Sequence, residues 1–318
     1  MTRVGVAVDV GGTKILSAAS DVPEHPARVP TEVNEGQQAL MWQIVRAVRY
    51  WRIRPGERVV IASPGHLDLD AGRVLEAANL PFRDYSIVAR VAERTQCEVE
   101  LIGDATAATV AELSRPDRAR HRDGLYVTIS TGIGMGAIRA GRLDWSVGNG
   151  ENELGHIPID HTPEAEPCGC GRHGCLEAYG SGASIIRRYT AAVRGRGEAD
   201  VLGGRHAPLT VSDVVAAGAL GDQDASEVID LALTHLSHAL VRAVQDVGAS
   251  IVVLGGGVMV HTGLFEPLRD RLGRLLGPEP VIERCALGGL SAIHGAAAVC
   301  ERVEPVMTML GGRWEQPA

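Results

Sequence analysis

Three cysteines and a histidine lie close together in the sequence and could bind a metal ion. Cys168, Cys170 and Cys175 fall within eight consecutive positions, and His156 precedes the first of them by twelve. A structural zinc ion takes four nitrogen or sulfur ligands in a closed tetrahedron, and the glycines between the cysteines allow the tight turn that such a site needs. The spacing predicts a Cys3His zinc site, with His173 as an alternative fourth ligand. Ordinary loop thiols or a disulfide are the competing interpretations.

Two aspartates stand where a carboxylate could bind a magnesium ion or a substrate hydroxyl. Asp9 ends the apolar segment at 3–9 and precedes a Gly-Gly-Thr turn, where it could hold Mg²⁺ through water. Asp104 follows the short apolar run at 99–102, at a junction of strand and helix where ligands of open α/β sheets gather. Aspartate is also a favourable helix N-cap, so for Asp104 alone both interpretations stay open.

Three glycine-rich turns could approach phosphate groups, because glycine lets backbone N–H groups come close to an anion. The first is GGTK at 11–14, which lacks the GxxxxGK[ST] spacing of a Walker loop. The second is the turn at Thr131 and Gly132, inside a strand–turn–strand segment at 125–143, and the third is the triple glycine at 255–257. A plain hairpin at the first turn and tight packing at the third are the competing interpretations.

Short apolar strands and amphipathic helices are the elements that must position these residues. The patterns predict strands at 3–9, 15–20, 59–62 and 99–102, and helices at 36–52, 87–95, 105–113, 176–194, 225–247 and 264–276. The charged stretch at 115–123 is predicted to be an exposed crossing between domains, and the residues from Met307 onward to be weakly ordered. The segment at 125–143 repeats the design of residues 3–20, which suggests two related folds that face each other.

Length and composition limit the class of protein. The chain has 318 residues, enough for two domains, and 45% apolar residues, which is typical of a globular protein. Its net charge of −8 argues against a nucleic-acid partner or an anionic membrane surface. No run approaches the roughly 20 apolar residues of a membrane helix, and the first residues do not resemble a signal peptide. We therefore expect a soluble, cytoplasmic protein in which Cys97, Cys285 and Cys300 are buried thiols.

Taken together, the motifs resemble those of the ROK family, within the actin-like ATPase superfamily. The similarity rests on DVGGTK (9–14), GDATAA (103–108), STGIGMG (130–136), ELGH (153–156), CGCGRHGCLE (168–177) and VLGGGV (253–258), whose order and spacing match from residue 3 to about 303. The resemblance implies an α/β fold of two ribonuclease-H-like domains with an interdomain cleft. The smaller domain would comprise residues 1–114 and about 296–318. The larger domain, with the zinc site and the nucleotide face, would comprise residues 115–295.

The resemblance also implies a role for each motif, since the family includes kinases that transfer phosphate from ATP to a sugar. Asp104 would be the catalytic base that accepts a proton from a primary hydroxyl, and Asp9 the carboxylate on the Mg²⁺ side. The expected nucleotide contacts are Asp9, Gly11, Gly12, Thr13, Lys14, Thr131, Gly132, Gly256 and Gly257. The expected sugar contacts are Asn79, Gly103, Asp104, Glu153, His156 and Glu177. The zinc would tie His156 and the Glu177 loop into one rigid wall, and the protein would be a homodimer or homotetramer.

The chain departs from the family pattern at Gly103. Sugar kinases of this type usually carry Asn-Asp-x-Asn where this chain has Gly103-Asp104-Ala105-Thr106. Losing the hydrogen bond of that first Asn would cost roughly 1–3 kcal/mol for a sugar that needed it at its 3- and 4-hydroxyl side, and it leaves room. The hypothesis is an acceptor that differs from glucose on that edge, such as the amino sugar kanosamine or a C7 cyclitol. A glucokinase in which water replaces the missing amide is the alternative.

Two other functions compete with the kinase. Family members that act as sugar-sensing repressors carry a DNA-binding winged helix ahead of DxGGTK, whereas eight residues precede Asp9 here and the charge is acidic. A sugar-binding protein without catalysis is also disfavoured, because Asp9, Asp104 and both phosphate-facing turns are intact.

Overall fold

A computed structural model describes residues 5–147, 153–195 and 208–311 of the chain. In chain order its strands are β1 (Val6–Val10), β2 (Lys14–Ala19), β3 (Ala27–Pro30), β4 (Arg58–Ser63), β5 (His66–Asp68), β6 (Arg73–Glu76), β7 (Arg83–Tyr85), β8 (Glu98–Gly103), β9 (Gly124–Ile129), β10 (Ile133–Arg139), β11 (Arg142–Leu143), β12 (Ile251–Gly255) and β13 (Val281–Arg284). Its helices are α1 (Gly36–Tyr50), α2 (Ile87–Thr95), α3 (Asp104–Leu113), α4 (Glu177–Gly180), α5 (Gly182–Gly195), α6 (Val211–Ala219), α7 (Gln223–Val247), α8 (Gly257–His261), α9 (Phe265–Leu276), α10 (Ser291–Cys300) and α11 (Glu304–Leu310).

The first sheet contains the strands that lead to the two predicted aspartates. Its order is β3-β2-β1-β4-β8, in which β1, β4 and β8 are parallel and β2 runs antiparallel to β1. Asp9 in β1 pairs with Ala62 in β4, and Ser63 in β4 pairs with Gly103 in β8. The carboxyl ends of three neighbouring parallel strands therefore meet at one edge, which is where open α/β sheets bind their ligands.

Strand β1 lies at the centre of this sheet because its residues are apolar on both faces. Every residue of β1 except Asp9 is buried, as expected for a strand that is covered on both sides. Helix α1 packs against β1 and β2, and helix α10 packs against β1, β4 and α3. These contacts hold the backbone that carries Asp9 and Asp104.

The second sheet has the order β11-β10-β9-β12-β13, and a third, three-stranded sheet has the order β5-β6-β7. The chain divides into two compact units. The first comprises Met1–Tyr126, Met135–Glu153 and Gly289–Ala318, and the second comprises Val127–Gly134 and Leu154–Gly288. The domain boundaries predicted from the sequence, at 114 and about 296, stay a prediction.

Several sequence-based expectations about the elements are confirmed. The long helix predicted at 225–247 is α7, which begins after Asp222, whose carboxylate caps the Ala225 N–H at 2.9 Å, and ends at Gly248 with φ +68°. Cys97, Cys285 and Cys300 are buried free thiols. Among the helices that the structure describes, none has the length and the apolar character needed to cross a membrane.

The helix predicted at 176–194 is wrong in one respect, because the structure divides it into α4 and α5 at Ser181. The backbone of Ser181 is extended, with ψ 158°, and its hydroxyl accepts the N–H of Ser184 at 3.2 Å. The N–H of Gly182 donates to the carbonyl of Ser130, 2.8 Å away. A tertiary hydrogen bond to the β9–β10 turn therefore interrupts the helix, and apolar periodicity along the chain gives no sign of such a bond.

One prediction of weak order is wrong, and one prediction of exposure has an exception. The charged stretch at 115–123 is exposed or half-buried as predicted, except for Arg118, which is only 4% exposed because its guanidinium pairs with the fully buried carboxylate of Glu112. The segment after Val303 forms α11, with Pro305 in its first turn and with Val306 and Leu310 buried. Residues 312–318 of the predicted weakly ordered end lie outside the described residues.

Candidate active site and metal cluster

The structure brings the four predicted metal ligands together. The donor atoms of His156, Cys168, Cys170 and Cys175 all lie within 4.8 Å of one another. The Sγ atoms of Cys170 and Cys175 are 3.8 Å apart, and Cys168 Sγ is 3.5 Å from His156 Nδ1. Zinc bonds of about 2.3 Å to sulfur and 2.0–2.1 Å to nitrogen would place two tetrahedral sulfurs about 3.8 Å apart and a sulfur and a nitrogen about 3.5 Å apart. The cluster therefore fits a tetrahedral cation, whereas the alternative ligand His173 is exposed and outside it.

Local backbone hydrogen bonds and two glycines shape the loop that carries the cysteines. The N–H of Cys168 donates to the carbonyl of Arg172 at 2.8 Å, and the N–H of Gly171 donates back to the carbonyl of Cys168 at 3.0 Å. Gly174 has φ +72°, and a Cβ on it would lie 1.8 Å from the carbonyl oxygen of Asp160. Because no other residue fits there, Gly174 is needed to bring Cys175 back to the cluster.

A network of polar side chains that includes Tyr179 of helix α4 also holds the segment before the cysteines in place. The hydroxyl of Tyr179 donates to the carboxylate of Asp160 and accepts the N–H of Glu166 at 3.0 Å. The carboxylate of Glu166 in turn pairs with Arg187 at 3.1 Å and with Arg188. The hydrogen bond from Tyr179 is the main cause that lowers the pKa of Asp160 to about 2. Asp160 and Glu166, which precede the cysteines, are thus tied to helices α4 and α5.

Glu177, a predicted sugar contact, is tied to the turn between β9 and β10. Its Oε2 accepts the N–H of Ile133 at 2.8 Å, and a Cβ on Gly155 would lie 3.3 Å from that same oxygen. The turn itself is closed by the N–H of Ser130, which donates to the carbonyl of Gly132 at 2.8 Å. The segment 154–156, Glu177 and the turn with Thr131 and Gly132 are therefore neighbours in the second unit.

The third glycine turn, at 255–257, packs against the end of β9 and the turn that follows it. Gly256 has φ +85°, and a Cβ on it would lie 2.3 Å from the carbonyl oxygen of Ile129. A Cβ on Gly257, the first residue of α8, would lie 3.9 Å from Ser130 Oγ. Tight packing thus explains Gly256 by itself, and a nucleotide contact at Gly256 and Gly257 stays a prediction.

In the first unit, Asp104 is the first residue of α3, directly after β8. The N-cap of this helix is Gly103, so the capping interpretation of Asp104 is wrong. Its Oδ1 accepts the N–H of Ala105 at 2.7 Å, and the side chain is partly buried. Burial raises the pKa of Asp104, against the opposing effect of this hydrogen bond. A carboxyl group with a raised pKa at the carboxyl end of a strand is typical of a functional site.

Asp9 is electrostatically coupled to Asp104. Burial is the main cause that raises its pKa to about 7, the negative charge of Asp104 adds to the shift, and Lys14 opposes it. Both carboxylates thus belong to one local site at the edge of the first sheet. Two neighbouring carboxylates that resist ionisation together are suited to a divalent cation, which would favour their charged forms.

Asn79 joins the predicted phosphate-facing turn of the first unit. The turn is closed by the N–H of Gly11, which donates to the carbonyl of Lys14 at 2.9 Å, and its Thr13 is exposed. A Cβ on Gly12 would lie 3.0 Å from the Cβ of Asn79. The loop of Asn79 thus packs closely on the turn at Gly12. Glu153, another predicted sugar contact, is partly buried and is the last residue of the middle segment of the first unit.

Sequence reasoning missed a cavity of about 290 Å³ in the first unit, which opens beside Gly103. Besides Gly103 and Thr106, its polar and aromatic lining residues are His66, Asp68, Asp70 and Trp145. The segment DLDAGRV at 68–74 indicates only a turn in the sequence, because two aspartates are ordinary turn residues. No local pattern connects that turn with Trp145 or with Gly103.

Comparison with known proteins identifies the family. The model of the ROK family matches residues 5–302, and the chain belongs to this family. A glucokinase of Halalkalibacterium halodurans is 28% identical over 280 residues, which are 83% of this chain and 84% of that protein. An N-acetylmannosamine kinase of Citrobacter koseri is 28% identical over 306 residues, which are 92% of this chain and 94% of that protein.

A solved structure supports the same fold. The crystal structure of a ROK family glucokinase from Streptomyces griseus, in complex with glucose and AMPPNP, matches with a TM-score of 0.77 and 26% sequence identity. The match covers 94% of this chain and 99% of that chain. The α/β fold of the actin-like ATPase type that the sequence predicts is thereby confirmed.

Proposed function

We propose that this protein is an ATP-dependent sugar kinase that phosphorylates the primary hydroxyl of a hexose or hexose-like acceptor. The observation that carries the proposal is the pair Asp9 and Asp104, two coupled carboxylates with raised pKa at the edge of the first sheet. Membership of the ROK family and similarity to a glucokinase and an N-acetylmannosamine kinase support the same assignment.

In the proposed reaction Asp104 is the catalytic base. The acceptor oxygen attacks the γ-phosphorus of ATP, its proton passes to the Asp104 carboxylate, and the bond to the β-phosphate oxygen breaks to release ADP. Burial serves this role, because a carboxyl group whose pKa is raised is a stronger base than an exposed aspartate. Asp9 would hold Mg²⁺ on the phosphate side, and the bound ion would neutralise charge that develops on the phosphate oxygens.

Backbone groups of the glycine turns would complete the nucleotide site. Gly11, Gly12 and Thr13 present their turn beside Asp9, with Lys14 close enough to Asp9 to oppose its pKa shift. Thr131 and Gly132 would also contact the phosphates, and Gly256 and Gly257 would contact the adenosine side. Asn79, Gly103, Glu153, His156 and Glu177 would contact the sugar.

We further propose that His156, Cys168, Cys170 and Cys175 bind a structural zinc ion. The sulfur and nitrogen donors, and separations that match a tetrahedron, support zinc over harder cations. Bound zinc would cross-link the ELGH segment to the cysteine loop and thereby fix the start of α4, where Glu177 lies.

The proposed acceptor belongs to a narrow chemical class. The named relatives act on glucose and on N-acetylmannosamine, so a hexose or an amino sugar is favoured. Kanosamine and a C7 cyclitol stay predictions that rest on Gly103. The homodimer or homotetramer and the cytoplasmic location also stay predictions.

Product analysis tests the proposed function directly. The protein is incubated with ATP, Mg²⁺ and a pool of glucose, N-acetylmannosamine, amino hexoses and cyclitols, and the products are identified by mass spectrometry. We expect ADP and one sugar 6-phosphate in equal amounts. Absence of any ATP-dependent phosphorylated product, from a protein that is folded and loaded with zinc, would contradict the kinase assignment.

A further inference from the structure

The cavity beside Gly103 lies next to the proposed catalytic base. Gly103 is the last residue of β8 and lines the cavity, and Asp104 follows it directly. A sugar whose primary hydroxyl is at Asp104 would therefore present one edge of its ring to Gly103. At about 290 Å³ the cavity is at the lower end of the roughly 300–1,000 Å³ of ligand pockets, a size that suits part of a ligand.

The walls of the cavity are held in place by local structure. His66 and Asp68 belong to β5, and Asp68 Oδ1 accepts the N–H of Ala71 at 2.9 Å. Trp145 follows Asp144. The carboxylate of Asp144 accepts hydrogen bonds from Arg139 Nε at 2.6 Å and from the Ser146 N–H at 3.0 Å. The cavity is thus formed by an ordered strand and an ordered turn, in addition to Gly103.

The charge of the lining favours a positively charged occupant. Two carboxylates, Asp68 and Asp70, line the cavity together with the imidazole of His66. None of the described lining residues is a lysine or an arginine. The indole of Trp145 adds an aromatic ring, which attracts cations through its face and also stacks on sugar rings. Such a lining is better suited to an ammonium group than to a carboxylate or a phosphate.

Gly103 determines how much of this space is open. Its φ is −65°, so the backbone itself accepts any residue. A Cβ at this position would lie 3.0 Å from Thr106 Oγ1, and a longer side chain would extend into the space that Gly103 lines. The absence of a side chain at 103 therefore leaves this part of the cavity open.

We propose that this cavity is the subsite that selects the acceptor, and that it binds a basic amine carried by the sugar ring on the edge that faces Gly103. The inference rests on the proposed kinase function and deepens it. Asp68 and Asp70 supply the negative charge, and Gly103 supplies the room. The acceptor class is an amino-deoxy hexose with a free amine, in preference to the neutral hexose or its N-acetylated form.

The test compares ratios of kcat/KM rather than single activities. Glucose, the 3-amino and 4-amino deoxy hexoses, and their N-acetyl forms are assayed at pH 7 with the wild type, Asp68→Asn, Asp70→Asn and Gly103→Asn. We expect the best amino hexose to exceed glucose and its own N-acetyl form in the wild type. Loss of one charged hydrogen bond should lower its ratio to glucose by roughly 10- to 100-fold in at least one aspartate variant.

Matched controls keep the outcomes distinct. Asp21→Asn removes an exposed carboxylate of the same unit that does not line the cavity, and it should leave every ratio within about twofold of the wild type. Gly103→Ala adds a single methyl group and keeps the test valid where Gly103→Asn fails to fold. Equal ratios in the wild type and both aspartate variants, or a preference for glucose, would overturn the subsite.

If the proposed kinase function is wrong, the results differ from those that overturn only the subsite. In that case no hexose is phosphorylated by any variant, whereas calorimetric binding of the amino hexose to the wild type and to the two aspartate variants still measures the subsite. Weaker binding in the variants would support the cavity, and unchanged or absent binding would overturn it.

Discussion

The metal cluster of the second unit and the paired aspartates of the first unit assemble in different ways. All four donors of the cluster lie in one short segment, His156–Cys175, which is turned by glycines and held by its own hydrogen bonds. Asp9 and Asp104 are far apart in the sequence and become neighbours only because β1, β4 and β8 are parallel in one sheet. The first site depends on local turns, and the second depends on the topology of the whole sheet. Mutations should therefore affect the two sites separately.

The largest expected effect is on catalysis at the aspartate pair. Asp104→Asn removes the proposed base and should lower kcat by about 10²- to 10⁴-fold, while the sugar still binds. Steady-state kinetics and calorimetric sugar binding measure the two properties. Because burial raises the pKa of Asp104, its replacement by a neutral amide should not lower the melting temperature.

Asp117→Asn is the matched control for this variant. Asp117 is exposed in the first unit and pairs only at the surface with Arg115, 3.2 Å away, so kcat should change by less than about twofold. Turnover that survives in Asp104→Asn would rule out the assigned base.

The next effect is expected at the metal cluster. Cys168→Ser should reduce bound zinc from about one ion per chain to a small fraction, because a structural site needs its four ligands. Through the loss of order around Glu177, kcat/KM should fall by roughly 10- to 100-fold. Elemental analysis and kinetics on the same preparation provide both readings.

Cys285→Ser is the control that shows whether losing any buried thiol, and not only a cluster ligand, lowers the zinc content. Cys285 is buried in the second unit and its Sγ lies 3.8 Å from the carbonyl oxygen of Gly288, outside the cluster. Full zinc content in this control, with loss in Cys168→Ser, is the expected pattern. Equal zinc content in the two variants would refute the Cys3His site.

The contributions of Asp9 and Asp160 to stability should change with pH in opposite directions. The pKa of Asp9 is raised from 3.8 to about 7, so its stabilising contribution is complete below about pH 4 and is lost as the pH rises through 7. Asp9→Asn should therefore be more stable than the wild type at pH 8, by at most about 4 kcal/mol before solvent screening, and nearly equal to it at pH 4. Melting temperatures at pH 4, 6 and 8 in magnesium-free buffer measure the difference.

Asp160 provides the contrasting case in the second unit. Its pKa is lowered to about 2, chiefly by the hydrogen bond from Tyr179, so its contribution is present above pH 4 and is lost only as the pH falls toward 2. Asp160→Asn should lower the melting temperature at pH 8. The same sign of change in both variants at pH 8 would contradict the electrostatic account.

The smallest effect is expected at the tyrosine that supports the cysteine loop. Tyr179→Phe removes the hydroxyl that bonds Asp160 and the Glu166 N–H, and should cost roughly 1–3 kcal/mol of unfolding free energy. Chemical denaturation measures this loss, and a zinc chelator should remove the metal from the variant faster than from the wild type. Tyr50→Phe, at an exposed position of the first unit, should change neither property.

The same contrast explains how much could be predicted from the sequence. The spacing of His156 and the cysteines was sufficient to place the cluster, because the residues between them form its own turns. Motif order was sufficient for the family and the fold. The coupling of Asp9 to Asp104 follows from strand pairing, which the sequence indicates only through the resemblance.

Structural features that depend on contacts between residues far apart in the sequence could not be predicted from it. The break at Ser181 requires a hydrogen bond from Gly182 to the β9–β10 turn, which lies far from it in the sequence. Periodicity and local charge contain no information about such partners. The cavity beside Gly103 was missed for the same reason, because Trp145 comes from a loop remote in sequence.

The arrangement of helix α10 has a consequence for how the chain is made. This helix packs on α3 so closely that a Cβ on Gly295 would lie 1.8 Å from the carbonyl oxygen of Ala107, and Ser291 Oγ donates to Glu112 at 2.7 Å. On the ribosome, β1 with Asp9 and α3 with Asp104 are made early and must wait for almost the entire polypeptide before helix α10 emerges. The second unit lies between them and is complete earlier, so it can mature first, and a nascent chain that stalls before Gly289 would expose an unfinished core to chaperones.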